Sequence, residues 1–256
     1  MRISSKVWDS YIAKLRKMSD TAARLMLKKL AGVDLDALDY NMRRELIEYA
    51  YALATKYGEG AGALASEMYD ALAELSDASV SAALPAETAT YAEVAKAVNG
   101  TIKSRNAEII SAAVGRQVKM VGVDTMMQNA LRDGAEWAWI PRGDTCAFCI
   151  ALASRGWQRA SKAAIKDGHA EHVHANCDCT YAVRFSHDLD VDGYDPSEYY
   201  KMYYGDGKGS PDDKIRALRR RIYAANADEI NAQKRSAYAK RQERESSAAE
   251  ELNIGN

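Results

Sequence analysis

The chain has 256 residues, of which 47% are hydrophobic, enough to bury one large core or two modest ones. This composition excludes a chain that is disordered along its whole length. The 35 basic and 36 acidic residues give a formal net charge of −1, which excludes a protein that binds polyanions through its overall charge. Any contact with nucleic acid would therefore come from a local basic patch.

The N-terminal segment, residues 1–9, has basic residues but no apolar run behind them, so the sequence predicts no signal peptide. No stretch of the chain approaches the roughly 20 apolar residues that a membrane-spanning helix needs. We therefore expect a soluble protein made in a cytosol. Thiols stay reduced in that compartment, so closely spaced cysteines there indicate a metal site more often than disulfides.

Residues 5–133 have apolar side chains at intervals of three and four, which is typical of amphipathic helices. Four interruptions rich in Gly, Pro or Asn divide this pattern into separate helices, at residues 32–34, 57–62, 84–86 and 99–101. Many of the facing positions hold alanine, which lets helix backbones approach closely. The sequence therefore predicts a helical bundle as the first domain, residues 1–133.

The segment from Gly134 to Asp188 has a different character, because it contains all four cysteines and all four histidines of the chain. Two β-compatible runs, Trp139–Ile140 and Thr180–Phe185, flank the cysteines and predict small strands. We expect a second domain here, a small α+β module over residues 134–204.

A linker rich in Gly, Asp and Ser begins at residue 205, and Pro211 near its end suits the first turn of a helix. The pattern then predicts one long charged helix within the third region, residues 205–256, with an excess of basic residues over positions 214–244. Its apolar stripe is narrow and consists of Leu218, Ile222, Tyr223, Ala225 and Ile230. Such a helix needs a partner to bury its stripe. Three alternatives stay open for its charged face: solvent alone, DNA phosphates, or another protein surface. The predicted fold class is thus mainly α.

Five residues of the second domain have the spacing of zinc ligands: Cys146, Cys149, His174, Cys177 and Cys179. Zinc is held in a tetrahedron by thiolates and imidazoles, and two cysteines separated by two residues form a tight knuckle around it. Cys177 and Cys179 would face the same way in an extended strand. Four cysteines are the favoured set for one zinc ion, and a set in which His174 replaces one of them stays open. The contrasting interpretation is four reduced cysteines in a protein core.

The predicted zinc is structural, because a catalytic zinc keeps one coordination position open for water and all positions here can be filled by protein. His169 and Glu171 match the His-x-Glu motif of zinc-dependent nucleobase deaminases. Those enzymes place their cysteine pair after the glutamate, whereas here the pair separated by two residues comes before it. A zinc nuclease built on His169, His172 and His174 is the alternative enzyme, but histidines beside a zinc site more often support the ligands or face solvent. We therefore expect no catalytic residues.

Four short motifs stand out in the second domain: Trp137–Trp139, Asp144–Cys149, Leu152–Gly156 and His174–Cys179. Through them, residues 134–185 resemble the minor capsid proteins of phages of Gram-positive hosts, actinobacterial phages above all, within the Mu F-like head morphogenesis group. The chain departs from this family at Trp157, where tyrosine is common, and at Ala175, where proline or another bulky residue is frequent. Neither departure affects a predicted ligand.

The resemblance implies a low-copy protein that enters the procapsid and associates with the portal protein or the major capsid protein of the inner shell. It also implies a location inside the virion head after assembly in the host cytoplasm, and it is compatible with ejection together with the DNA. The basic helix over residues 214–244 is then the candidate contact for packaged DNA. The alternatives are a nuclease-like zinc enzyme and a DNA-binding regulator whose zinc module supports the basic tail.

Overall fold

The computed structural model describes residues 2–142, 145–161, 179–205 and 209–229, together with Asn231, Ala232, Arg235, Ser236 and Ala239. Four helices form the first half of the chain: α1 (Ser5–Leu30), α2 (Tyr40–Leu75), α3 (Tyr91–Ile102) and α4 (Ala107–Asp133). Three shorter helices follow: α5 (Ala147–Ala153), α6 (Pro196–Tyr204) and α7 (Pro211–Ala225). The predicted fold class, mainly α, is confirmed.

Side chains placed at the helix starts explain where these helices begin. Ser4, Asp39 and Asn106 are N-caps whose side-chain oxygens accept hydrogen bonds from backbone N–H groups in the first turns of α1, α2 and α4. Thr90 and Glu93 form a reciprocal capping box at the start of α3. Each cap satisfies backbone donors that a helix N-terminus would otherwise leave without a partner.

Helix α4 forms the centre of the molecule and contacts α1, α2, α3 and the sheet. Two glycines on α4 set how closely α1 crosses it. A Cβ atom at Gly115 would lie 2.9 Å from the backbone oxygen of Ser19, and one at Gly122 would lie 3.0 Å from Cδ1 of Leu15. Larger residues at these positions would push the two helices apart.

Helix α2 runs without a break through residues 57–62, so the predicted interruption there was wrong. The glycines in this stretch serve close packing instead of ending the helix. A Cβ atom at Gly58 would lie 3.1 Å from Cγ2 of Thr88, and one at Gly62 would lie 3.1 Å from Cβ of Pro85. Because they have no Cβ atom, these glycines leave room for the extended segment that follows α2. A glycine inside a helix costs only about 1 kcal/mol relative to alanine, so the helix continues through them.

That extended segment, residues 78–90, lies across α2 and α4 and contains the predicted interruption at 84–86. Side chains of α4 supply its hydrogen bonds in place of a neighbouring strand. The Asn129 amide accepts from the Leu84 backbone N–H at 3.0 Å and donates to the Leu84 carbonyl at 2.8 Å. Thr125 Oγ1 accepts from the Ala86 N–H at 2.9 Å. The segment is therefore a fixed part of the fold.

The described residues also contain five short strands: β1 (Arg2–Ile3), β2 (Glu136–Ile140), β3 (Gln158–Arg159), β4 (Thr180–Arg184) and β5 (Asp190–Val191). Strand β2 is central in a three-stranded antiparallel sheet, and its Trp139 lies opposite Tyr181 of β4. Strands β1 and β5 form a separate parallel pair. The strands predicted on either side of the cysteines are therefore present and paired with each other.

The buried core is continuous between the helices and the sheet. Trp8 of α1, Tyr69 of α2 and Val118 of α4 belong to the same apolar cluster as Trp139 and Tyr181 of the sheet. The predicted domain boundary coincides with Gly134, the left-handed C-cap of α4 (φ 65°). Whether residues 1–133 fold independently of residues 134–204 stays a prediction. Over the ranges that the structure describes, no helix is long and apolar enough to cross a membrane.

Candidate metal centre

Two of the predicted zinc ligands lie at the start of α5. Cys146 is the N-cap residue of this helix, and Cys149 follows three residues later. Cys146 has an extended backbone, so the two cysteines lie at the same end of α5 without both belonging to the helix. Cys149 is buried and Cys146 is partly buried, both against the main core.

A third predicted ligand, Cys179, lies directly before strand β4. Because Ile140 pairs with Thr180, the strand register places Cys179 beside the chain that leaves β2 toward α5. The Cys179 thiol lies 3.9 Å from the carbonyl oxygen of Arg142, within the range of a weak S–H donor. The structure thus places Cys179 beside Arg142, in the chain segment that leads from β2 toward α5.

The pKa values of two tyrosines are affected by these cysteines. Burial raises the pKa of Tyr181, and the nearby charges of Asp124 and Cys149 raise it further, whereas Arg155 lowers it. Burial also raises the pKa of Tyr199, Arg142 lowers it, and Cys179 raises it. The region around the cysteines is therefore poorly hydrated.

The remaining predicted ligands, His174 and Cys177, lie outside the described residues, as do His169, Glu171 and His172. In the part of the chain that the structure does describe, no group of three or more His, Cys, Asp or Glu side chains could hold a metal ion. The zinc ion and its set of ligands therefore stay predictions, and so does the alternative histidine-based nuclease.

The helix that carries Cys146 and Cys149 also anchors α7. Leu218 of α7 is 3% exposed and forms a second apolar cluster with Ala147 and Ile150 of α5. Tyr199, Tyr203, Ile215 and Ile222 pack around this cluster. Two residues of the predicted apolar stripe, Leu218 and Ile222, thus find a partner within the same chain, whereas Tyr223 and Ala225 are exposed. Helix α7 ends at Ala225 with Asn226 as its C-cap, so the predicted single long helix is interrupted there, and a charged helix over the rest of the tail stays a prediction.

Sequence analysis missed an ion-pair network that joins β4 to its neighbours. Arg184 is 11% exposed, and its guanidinium lies 2.7 Å from Glu136 and 3.2 Å from Asp190. The same guanidinium lies 4.5 Å from the ring centroid of Trp157, whose indole N–H donates to Asp190 at 2.9 Å. One feature of the sequence could have indicated Arg184 as a partner in ion pairs, because it is the only charged residue in the predicted strand over 180–185.

A second feature outside the predicted site is a cavity of about 680 Å³ between α3, α4 and the extended segment. Glu93, Lys96, Arg116 and Asp124 line it together with smaller polar residues. Burial raises the pKa of Asp124 to about 6, Arg116 lowers it and Glu93 raises it. The periodicity of α4 gave no indication of this partly buried acid, because Asp124 is one of several polar residues along the helix, such as Arg116 and Gln117, and nothing local distinguishes it.

The chain was compared with known protein families, curated proteins and solved structures. The model of the VG15 protein family matches residues 2–205. The match includes all five predicted zinc ligands and stops where the predicted linker begins. No curated protein and no solved structure matches the chain.

Proposed function

Because the chain belongs to the VG15 protein family, a family of viral, phage-type proteins, we propose that it is a minor structural protein of a tailed-phage head, in the Mu F-like head morphogenesis group. It assembles in the host cytoplasm and is retained inside the head, near the portal or the inner shell. The family match over residues 2–205 carries this proposal. The motifs Trp137–Trp139 and Asp144–Cys149, which resemble minor capsid proteins, lie within that match.

The packing of the motif segment supports a structural role for it. Trp137 and Trp139 each contact the Tyr181 ring edge-on, at centroid distances of 4.7 Å. Edge-to-face pairs of this kind favour one fixed arrangement of a sheet over alternatives. The two tryptophans and Tyr181 therefore hold β2 against β4, and both strands pack on α4.

The proposed location is tested by quantitative mass spectrometry of purified virions and procapsids of the phage that encodes the chain. We expect the protein in both particles, at a copy number far below that of the major capsid protein. Cross-linking of intact procapsids should join it to the portal protein or the inner face of the major capsid protein. A non-structural protein of the same phage is the control for contamination. Presence in infected cells but absence from both particles would contradict the proposal.

The same module is proposed to hold one structural Zn²⁺ ion through Cys146, Cys149, Cys177 and Cys179, with His174 as the alternative to one cysteine. Thiolates are the ligands that structural zinc prefers. Two of them lie at the start of α5 and a third precedes β4. Zinc would close a loop of about 28 residues between the two cysteine pairs and reduce the entropy of the unfolded module.

The basic region 214–244 is proposed to contact packaged DNA. Arg216, Arg219 and Arg220 are exposed on α7 and lie on the side away from the buried Leu218. Each phosphate that they neutralise releases counterions, so binding to duplex DNA should weaken steeply as salt rises. Truncation after Gly209 should abolish this binding, and changing the three arginines to glutamine should reduce the salt dependence. Equal binding by full-length and truncated proteins would contradict this role of the tail.

A further inference from the structure

The exposed face of α6 carries a pair of stacked tyrosines. The rings of Tyr200 and Tyr204 lie 4.3 Å apart at an interplanar angle of 29°, and the two residues are 52% and 36% exposed. Tyr203 contacts Tyr204 edge-on at 4.8 Å and holds that ring from the protein side. The packing of Tyr203 against the α5–α7 cluster gives the pair a firm base. The two rings therefore form a supported aromatic platform at the surface.

Basic side chains of α7 border this platform. The Lys214 ammonium group lies 4.3 Å from the centroid of the Tyr204 ring. The Arg221 guanidinium donates to the carbonyl oxygen of Met202 at 2.8 Å, which fixes α7 along the C-terminal end of α6. Cations within 6 Å of an aromatic face are attracted by the ring quadrupole. Aromatic faces and positive charges are thus held together by a packed helix pair.

This combination fits one class of ligand better than others. Positive charge alone would serve a DNA duplex, but the bases of a duplex are stacked inside it and their faces are not available to a tyrosine. The bases of a single strand can stack on aromatic side chains while the backbone phosphates contact lysine and arginine. An acidic protein segment would use the charges but not the stacked rings.

We infer that the α6–α7 face, formed by Tyr200, Tyr204, Lys214 and Arg221, binds single-stranded nucleic acid. A base stacks on the outer face of Tyr200, because Tyr200 and Lys214 already cover the Tyr204 ring, and phosphates contact the cations of α7. This site goes beyond the duplex contact proposed for the tail, because it uses α6 and aromatic side chains that a phosphate contact does not need. It does not depend on the location of the protein in a virion.

The test uses the full-length protein with a fluorescein-labelled oligothymidine of about 20 nucleotides, a length that spans one to several binding sites of known single-strand binders. Anisotropy titrations compare this strand with a duplex of the same length at low and moderate salt. We expect the wild-type protein to bind the single strand at low salt, and the duplex titration separately measures the contact proposed for the tail. The absence of binding to the single strand at low salt would overturn the inference.

Paired variants separate stacking from charge. The double variant Tyr200→Ala, Tyr204→Ala should bind the single strand at least about 10-fold more weakly with an unchanged salt dependence, because base stacking is worth about 1–3 kcal/mol per base. The double variant Tyr200→Phe, Tyr204→Phe keeps the rings and should retain binding. Tyr40→Ala, at a tyrosine that is 78% exposed on α2, is the matched control. Binding by the alanine pair equal to that of Tyr40→Ala would refute a stacking site.

Circular dichroism must show that the double alanine variant keeps its helices. If it does not, the single variant Tyr200→Ala replaces it, since Tyr200 is the more exposed member of the pair. The failure of single-strand binding would leave the proposed virion location untouched, because that location is measured on particles. The two proposals therefore succeed or fail separately.

Discussion

Leu218 of α7 packs against Ile150 of α5, so the helix that carries two predicted zinc ligands also anchors the start of the basic tail. Leu218→Ala should remove most of the apolar contact that holds α7, at a cost of about 2–4 kcal/mol to its docking. We expect faster limited proteolysis between α6 and α7 with little change in the melting temperature of the main core. Ile150 becomes more exposed in the variant.

The control for this change is Tyr223→Ala, at an exposed tyrosine of the same helix. It should leave the rate of proteolysis near that of the wild-type protein. Cleavage of Leu218→Ala at the wild-type rate would mean that other contacts, such as the Arg221 hydrogen bond to Met202, are enough to hold α7.

Zinc content is the most direct test of the candidate metal centre. Elemental analysis of the purified protein should give about one zinc per chain. Cys146→Ser and Cys149→Ser should each lose the metal and destabilise the segment around α5 and β4, because the free energy of metal binding contributes to folding. Far-UV circular dichroism should show that α1, α2 and α4 are largely retained, since their mutual packing does not include these cysteines.

His174→Ala distinguishes the two ligand sets. Full retention of zinc assigns the four cysteines, whereas loss of zinc assigns His174 in place of one of them. His187→Ala is the matched control, since His187 lies on the sheet side of the module and pairs with Glu136 at 3.3 Å. A protein without metal, equally stable with and without chelator and without a disulfide, would refute the zinc site.

The raised pKa of Asp124 predicts that the contribution of this residue to the stability of the protein falls as the pH rises from 4 to above 6. Burial raises its pKa in the folded protein to about 6, above the ordinary value of 3.8 for an aspartate, so the folded state binds the proton more tightly than the unfolded state. The contribution of Asp124 to stability is therefore fully present below pH 4 and is lost as the pH rises through 6. Above that range the buried charge costs about 3 kcal/mol.

Asp124→Asn should accordingly raise the free energy of unfolding at pH 7.5 and have little effect at pH 4. Urea denaturation at the two pH values measures both. Asp20→Asn, at an exposed residue paired with Arg16 on α1, is the control and should change stability by less than about 1 kcal/mol. A variant that is less stable than the wild-type protein at pH 7.5 would show that the Asp124 carboxylate is stabilised in its charged form.

The close packing of α1 against α4 can be tested by changing two glycines to alanine, one at the crossing and one away from it. Gly115→Ala would place a Cβ atom 2.9 Å from the Ser19 carbonyl oxygen, which belongs to the backbone and cannot rotate away. We expect a loss of about 1–3 kcal/mol in thermal or urea unfolding. Gly100→Ala meets no atom within 4 Å and should be neutral or stabilising by up to about 1 kcal/mol. Equal effects of the two changes would mean that α1 can shift without cost.

Local patterns in the sequence were sufficient for much of the fold. Periodicity predicted the helical half, and two short β-compatible runs predicted the strands that became β2 and β4, although not their pairing. The glycines at 57–62 misled the prediction because their role depends on Pro85 and Thr88, which lie outside the helix. The docking of α7 on Ile150 also could not be predicted, because nothing local to either helix specifies the other.

The candidate site was predicted in a similar way. The spacing of Cys146 and Cys149 predicted a tight knuckle around zinc, which stays a prediction; in the structure, Cys146 is the N-cap of α5 and Cys149 lies in its first turn. The position of Cys179 beside Arg142 follows from the register of β2 and β4, which the sequence does not specify. Arg184 was missed since a buried arginine is explained only by partners such as Glu136 and Asp190, which come from different strands.

The pairing of β1 with β5 bears on the order in which the protein folds during synthesis. Ile3 is made before its strand partner Val191, and all of α1 to α4 and the central sheet are made in between. Contacts between such distant parts of a chain form slowly because a large loop must close first. The buried Ile3 side chain therefore stays without its strand partner on the ribosome until β5 emerges, so β1 cannot pair until after the central sheet has been made.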